Sequence, residues 1–79
     1  MNKDDMVQKS QFACAFPNVH KWLREGGWIE LGASGQLSSF ARALDEGGMV
    51  WEGKRRYSTI ENALKDMDKG IAQWLREQS

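Results

Sequence analysis

The sequence predicts an α+β domain in which a three-stranded antiparallel meander lies between a short N-terminal helix and a long C-terminal helix, in the order α-β-β-β-α. Three observations predict this fold. Residues 38–53 have the pattern of two strands joined by a tight turn, and residues 60–75 carry apolar side chains at helical spacing. Pro17 and Gly26 bracket a shorter helical pattern.

The N-terminal part divides at about residue 12. Residues 1–11 are polar and lack periodicity, so we expect a disordered tail followed by one α+β domain over residues 12–79. Residues 12–16 are compatible with an extended segment or with a first helical turn. Pro17 suits the start of a helix, where its missing N–H is not needed, and Gly26 suits a left-handed stop. These signals predict a helix of roughly eight to ten residues.

Three β-favouring runs follow the short helix. The first covers residues 28–31, the second residues 37–44 and the third residues 49–52. Between the second and third, Asp45-Glu46-Gly47-Gly48 supplies the positive φ angles that short hairpin turns require. Because short connections join antiparallel neighbours, the predicted strand order is one, two, three.

The sequence pattern of the second strand does not decide which of its two faces is buried. Phe40 and Leu44 favour burial on one face but bring Arg42 with them. Ala41 and Ala43, on the other face, would let a helix approach closely. The sequence therefore does not decide which face the long helix covers.

The long C-terminal helix has the clearest signals. Ser58 and Glu61 match a capping box, in which Ser58 would accept from the third N–H of the helix and Glu61 would reach back. Gly70 lies inside the helix and costs about 1 kcal/mol relative to alanine without ending it. The apolar stripe consists of Ile60, Ala63, Leu64, Met67, Ile71, Trp74 and Leu75.

Composition limits the classes of partner and compartment. Lys plus Arg equals Asp plus Glu, at 11 each, so no global charge attracts nucleic acid or anionic lipid. Cys14 is the single cysteine, which excludes an intrachain disulfide and favours a reducing compartment. The sequence has no apolar run long enough for a signal-peptide core or a membrane span. We therefore expect a cytoplasmic protein without a membrane partner.

The tryptophans are numerous for so short a chain. One lies in each of four predicted elements, which favours a core built on large rings. The alternative is an exposed aromatic surface that binds a partner. The four residues are Trp22, Trp28, Trp51 and Trp74.

No pattern in the sequence indicates catalysis, a cofactor or a metal. His20, the single histidine, and Cys14 are too few for a zinc site, and His20 has no recognisable nucleophile partner. Glu30 and Glu52 could divide acid and base roles, but the second strand should separate them by roughly 10 Å. We expect a protein that is not an enzyme.

The third strand is the first candidate for an interaction surface. Its short run from residue 49 to residue 52 forms an edge of the predicted sheet, and an exposed edge can pair with another chain. We therefore expect a protein-interaction or regulatory module that can self-associate, for example as a homodimer. The candidate residues are Met49, Val50, Trp51 and Phe40.

A basic segment before the long helix supports the alternative, RNA or DNA binding. Cations beside an aromatic ring suit a phosphate chain, and the candidate residues are Lys54, Arg55, Arg56 and Tyr57. Lys21 and Arg24 would add to this surface if the first helix lies nearby. The same order of elements occurs in the double-stranded RNA-binding domain, but that family's Lys-rich start to the last helix and its Gly-Pro-x-His turn are absent here.

From Ala43 onward, the sequence combines a strand, a glycine-containing turn, a second strand and a long amphipathic helix. Thr59, Ala63 and Leu64 follow, with a shift of one residue, a motif of the Thr-x-x-Glu-Ala-Leu kind. Residues 43–78 thereby resemble the β-turn-β-α module of HicB-like antitoxins, and the hairpin is also similar to small bacterial proteins without an assigned activity. The resemblance supports the predicted fold rather than a particular function.

Overall fold

A computed structural model describes residues 11–32 and 39–78 and confirms the α+β fold, with a three-stranded antiparallel sheet between N-terminal helical structure and a long C-terminal helix. Residues 11–15 are helical and are called α1. Of the two predicted alternatives for residues 12–16, an extended segment or a helical turn, the helix is therefore present up to residue 15. The disordered tail was predicted over residues 1–11; residues 1–10 lie outside the described residues, and residue 11 is helical and belongs to α1. The other elements are α2 (Pro17–Arg24), β1 (Trp28–Leu31), β2 (Ala41–Asp45), β3 (Gly48–Glu52) and α3 (Ile60–Gln78).

Helix α2 begins at Pro17, as predicted, but its N-terminus is capped from elsewhere in the chain. Phe16, at the N-cap position, has no side chain that can accept a hydrogen bond. Oδ1 of Asp68 on α3 instead accepts from the backbone N–H groups of Asn18 and Val19, at 2.7 Å and 3.0 Å. A carboxylate there also complements the positive end of the helix dipole. Asp68 thus joins α2 to α3.

Strand β2 starts later than predicted. Its expected span was residues 37–44, whereas the strand covers Ala41–Asp45. Ser39 and Phe40 precede it outside the strand, and residues 37 and 38 lie outside the described residues. The carbonyl of Ser39 accepts from the Arg42 guanidinium at 2.7 Å. This acceptor therefore serves a side chain of β2 rather than a neighbouring strand.

The hairpin between β2 and β3 has a tight turn at Glu46 and Gly47. Gly47 N–H donates to Oδ1 of Asp45 at 2.8 Å, and Gly48 is the one residue of the predicted turn with a positive φ, at 117°. The register shifts where Ala43 pairs with Trp51 and Leu44 pairs with Met49, which leaves Val50 as the extra residue of a β-bulge.

The two faces of the sheet differ in chemistry, and their burial shows which face the long helix covers, a question that the sequence left open. Ala41 and Ala43 are fully buried under the helices. On the opposite face, the register places one apolar row and one charged row across all three strands. The rows are Trp28, Leu44 and Met49, and Glu30, Arg42 and Glu52.

Arg42 is buried, with only 4% of its surface exposed, although it lies on the face away from α3. Its three guanidinium nitrogens all have acceptors. Nε donates to Glu30 at 3.1 Å, and the two terminal nitrogens donate to the carbonyls of Ser39 and Gly32 at 2.7 Å and 3.2 Å. The planar donor fork of arginine permits this saturation. Arg42 therefore holds both ends of the β1–β2 connection.

Helix α3 begins one residue later than the predicted capping box implies. Thr59 rather than Ser58 is the cap, because its Oγ1 accepts from Asn62 N–H at 3.0 Å. The Asn62 side chain donates to Ser58 Oγ at 2.7 Å. Ser58 thus has a different role from the predicted one, and Glu61 is exposed. The shift arises because both hydroxyl residues suit the cap, and tertiary packing selects the second.

The predicted apolar stripe of α3 forms the centre of the core. Ala63, Met67 and Ile71 are fully buried, and Leu64, Trp74 and Leu75 pack around them. The exception is Ile60, which is 58% exposed in the first turn, where the helix has not yet reached the sheet side of the core. Three of the tryptophans lie in or against the core, whereas Trp28 is 43% exposed.

Two tryptophans lie directly on glycines. The indole of Trp51 covers Gly70 of α3 so closely that an added Cβ would overlap Cδ1 and Nε1 of the ring. Trp22 covers Gly27 in the same way. Trp22 also packs edge-on against Trp74, with ring centroids 5.5 Å apart. These glycines let large rings approach the backbone, which explains why Gly70 occurs inside a helix.

Candidate functional site

The basic segment after β3 is held in place through the backbone of Lys54. The Lys54 carbonyl accepts from Phe40 N–H at 2.9 Å, and the Lys54 N–H donates to Tyr57 Oη at 2.9 Å. Sheet-type hydrogen bonding thereby continues one step beyond the end of β3. The exposed Lys54 side chain starts from a backbone position that is fixed on both sides.

A groove of about 410 Å³ lies between this segment and the solvent side of α3. Two cations, Lys54 and Arg56, come from the segment, and two more, Lys65 and Lys69, come from α3. Lys65 and Lys69 are four residues apart, so they lie about 6 Å apart along the helix axis. The remaining described lining residues are Tyr57, Ser58, Asn62 and Asp66.

Tyr57 and Asp66 form a hydrogen bond across the groove. The Tyr57 hydroxyl donates to Oδ2 of Asp66 at 2.5 Å. Burial raises the pKa of Tyr57 above its ordinary value of 10.0, and the hydrogen bond to Asp66 raises it further. The N–H of Lys54 acts in the opposite direction by stabilising the phenolate. Tyr57 therefore stays a neutral donor at physiological pH and connects the basic segment to α3.

The groove can hold an anion with charge spread along its length. Among its described lining residues, four carry positive charge and one, Asp66, carries negative charge. The Nζ of Lys54 lies 5.9 Å from the centroid of the Tyr57 ring, within the range of a cation–π contact. Because the chain as a whole has no net charge, this groove concentrates positive charge locally.

The predicted nucleic-acid residues separate into two groups. Lys54, Arg56 and Tyr57 line the groove, whereas Arg55 is exposed and is not among its described lining residues. Lys21 and Arg24, which were expected to help if they lay nearby, line a different and smaller groove of about 220 Å³ at the C-terminal half of α2.

The predicted interaction residues on and near β3 are placed differently from one another. Met49 is 46% exposed on an edge strand. Val50 is the half-buried bulge residue, and Trp51 is half-buried under α3. Phe40 is half-buried, with its ring edge-on to Tyr57 at 6.3 Å. A bulge twists an edge strand and makes pairing with another strand less favourable.

The other residues considered for chemistry do not come together. Glu30 on β1 and Glu52 on β3 are both opposite Arg42 of β2 in the strand register, so Arg42 lies between them. His20 packs beside Phe12, with ring centroids 6.4 Å apart. In residues 11–32 and 39–78, no group of three or more His, Cys, Asp and Glu side chains is placed to hold a metal ion. No helix in residues 11–32 and 39–78 is both long enough and apolar enough to cross a membrane.

Lys65 and Lys69 are the groove residues that sequence reasoning missed. Both lie opposite the apolar stripe, which suggests only a solvated helix face. Their spacing of four residues places them on one side of that face. The sequence contains no signal that this side adjoins Lys54 and Arg56.

Comparison with protein-family models, with curated proteins and with solved structures gave no match. The resemblance of residues 43–78 to HicB-like antitoxins stays a prediction. The function of this chain must therefore be argued from the groove and the sheet themselves.

Proposed function

We propose that this protein binds nucleic acid, RNA or DNA, through the groove between the basic segment and α3. The observation that carries the proposal is that four cations from two separate segments, Lys54, Arg56, Lys65 and Lys69, line one groove. Phosphate groups dominate nucleic-acid affinity, and each neutralised phosphate releases a counterion. Binding of this kind is non-enzymatic and needs no cofactor.

The arrangement of the cations favours an extended ligand over a compact one. Lys65 and Lys69 lie about one helical turn apart, and Asp66, the one carboxylate among the described lining residues, would repel a compact anion of high charge placed beside it. A phosphodiester strand carries one charge per nucleotide and can place its phosphates on either side of Asp66. The proposal is therefore a single strand that lies along the groove.

A titration at low salt tests this function. Fluorescence anisotropy with a labelled single strand of roughly 20 nucleotides should show binding that weakens with salt, with a slope of about −3 if four phosphates are neutralised. Lys65→Ala with Lys69→Ala should reduce the magnitude of that slope by about 1.4. The matched control is Lys21→Ala with Arg24→Ala, which removes two cations from the separate groove on α2.

The two double variants separate groove binding from general charge attraction. If the Lys65 and Lys69 variant loses affinity and the Lys21 and Arg24 control does not, the groove is the binding surface. Equal losses in both variants would contradict the groove as the site. Absence of binding at low salt would contradict nucleic-acid binding itself.

A second candidate function is self-association through the sheet, which the apolar row of exposed Trp28, half-buried Leu44 and exposed Met49 favours. Met49→Lys would place a charge on this row without disturbing the core, and Leu23→Lys at an exposed position on α2 is the control. Sedimentation at micromolar concentration should show a dimer that Met49→Lys dissociates and Leu23→Lys does not. A monomeric wild-type protein would contradict this candidate. Edge-to-edge pairing through β3 is the less favoured mode of self-association, because the bulge at Val50 interrupts that edge.

A further inference from the structure

The Tyr57 side chain is the single aromatic group among the described lining residues of the groove, and its contacts leave little of it for a ligand. Its hydroxyl donates to Asp66 and accepts from the Lys54 N–H. Phe40 packs edge-on against the ring, and the ammonium group of Lys54 lies over the ring. The ring is half-buried.

Proteins that bind single strands through their bases offer aromatic faces on which the bases stack. A base that stacked on the face of Tyr57 under Lys54 would displace the ammonium from the ring. That ammonium group is one of the four cations that the proposed phosphate binding requires. Stacking and phosphate binding would therefore compete for the same place.

The neutral polar side chains of the groove are also engaged. Asn62 donates through its side-chain amide to Ser58 Oγ at 2.7 Å. Asn62 N–H is occupied by the Thr59 hydroxyl, so this part of the helix terminus is capped within the chain. The charged groups available to a ligand are the four cations, and contacts of cations with phosphates position a strand without reading its base sequence.

We propose, as an extension of the nucleic-acid function above on which it rests, that the groove recognises the phosphate backbone alone. Its ligand class is a flexible strand of phosphodiesters, bound without base stacking and without preference for base sequence. Tyr57 is then a positioning residue that holds Lys54, and it is not a stacking platform.

An abasic strand provides the test, because it keeps the phosphates and lacks the bases. Its affinity should equal that of an oligothymidine strand of the same length within about threefold, with the same salt slope, because both present the same charges. Stacking on one ring would strengthen binding of the base-containing strand by roughly 5- to 150-fold. A loss of more than about threefold on the abasic strand would overturn the inference.

A second comparison uses the Lys65 and Lys69 double variant, which should weaken both strands by the same factor. If the variant weakens the abasic strand alone, the bases contribute to affinity and the inference is wrong. Oligothymidine binding without abasic binding leaves the nucleic-acid function standing and removes this inference. If neither strand binds at low salt, both proposals are wrong.

Discussion

Gly70 is the position at which local helix propensity and tertiary packing predict opposite results. In an exposed helix interior, replacement of glycine by alanine stabilises by about 1 kcal/mol. Here the added Cβ would overlap the indole of Trp51, so the ring or the helix must move. Overpacking of this kind costs roughly 1–3 kcal/mol. We expect Gly70→Ala to lower the free energy of unfolding by about 1 kcal/mol.

The assay is urea denaturation followed by circular dichroism, with thermal unfolding as a second measurement. In a domain of this size, about 1 kcal/mol corresponds to roughly 4–8 °C in Tm. A double-mutant cycle with Trp51→Leu isolates the contact, because leucine lacks the ring that the Cβ would meet. In the Trp51→Leu background, Gly70→Ala should be neutral or stabilising by up to about 1 kcal/mol.

Gly70→Ala must therefore change the free energy of unfolding with opposite signs, or by clearly different amounts, in the wild-type and Trp51→Leu backgrounds. If Gly70→Ala stabilises the wild-type background as much as the Trp51→Leu background, the ring does not lie on the helix at this position. The packing described for β3 and α3 would then be refuted.

Three further predictions concern the polar contacts. Asp68→Ala should destabilise by about 1 kcal/mol through loss of the α2 cap, whereas Glu46→Ala at an exposed turn position should change stability little, as chemical denaturation can show. Arg42→Lys should lower stability by about 2 kcal/mol despite its retained charge, because one ammonium cannot replace three nitrogens with separate acceptors; an unchanged denaturation midpoint would contradict this. Tyr57 is the single tyrosine, so tyrosinate absorbance should show ionisation above the ordinary pKa, and Asp66→Asn should lower that pKa. Because the folded-state pKa is raised, the stability linked to Tyr57 is complete below about pH 10 and is lost as pH rises through the raised pKa. If Tyr57 titrates at its ordinary pKa of 10.0 in both the wild-type protein and Asp66→Asn, the hydrogen bond to Asp66 is absent.

Local signals predicted most of the elements. Pro17 and Gly26 bracket α2 as expected, because each residue suits a backbone conformation that depends on its immediate neighbours. The cap of α3 was misplaced by one residue because Ser58 and Thr59 have the same local preference. Local chemistry thus predicts where elements are and leaves one-residue choices to packing.

Contacts between distant residues could not be predicted. Asp68 accepts from the N–H of Asn18, 50 residues earlier in the chain, and nothing in the sequence around Asp68 indicates this cap. Arginine in a strand usually faces solvent, so its sequence context does not predict that Arg42 is buried. Its burial depends on the backbone carbonyls of Ser39 and Gly32, which accept hydrogen bonds from its guanidinium group. For the groove, the sequence indicated Lys54 and Arg56, which are half of the four cations. The other half depends on which side of α3 adjoins the basic segment, and that is decided by packing.

The contact between Trp51 and Gly70 also connects stability to the proposed site. Gly70 directly follows the groove residue Lys69, and the Trp51 ring also lies close to Gly53, which directly precedes Lys54. One indole therefore packs against the backbone beside two lysines on opposite walls of the groove. If the cations act together on one strand, Gly70→Ala should weaken oligonucleotide binding and lower the salt slope even where the protein is fully folded. Unchanged binding by a folded Gly70→Ala variant would show that the two walls act independently.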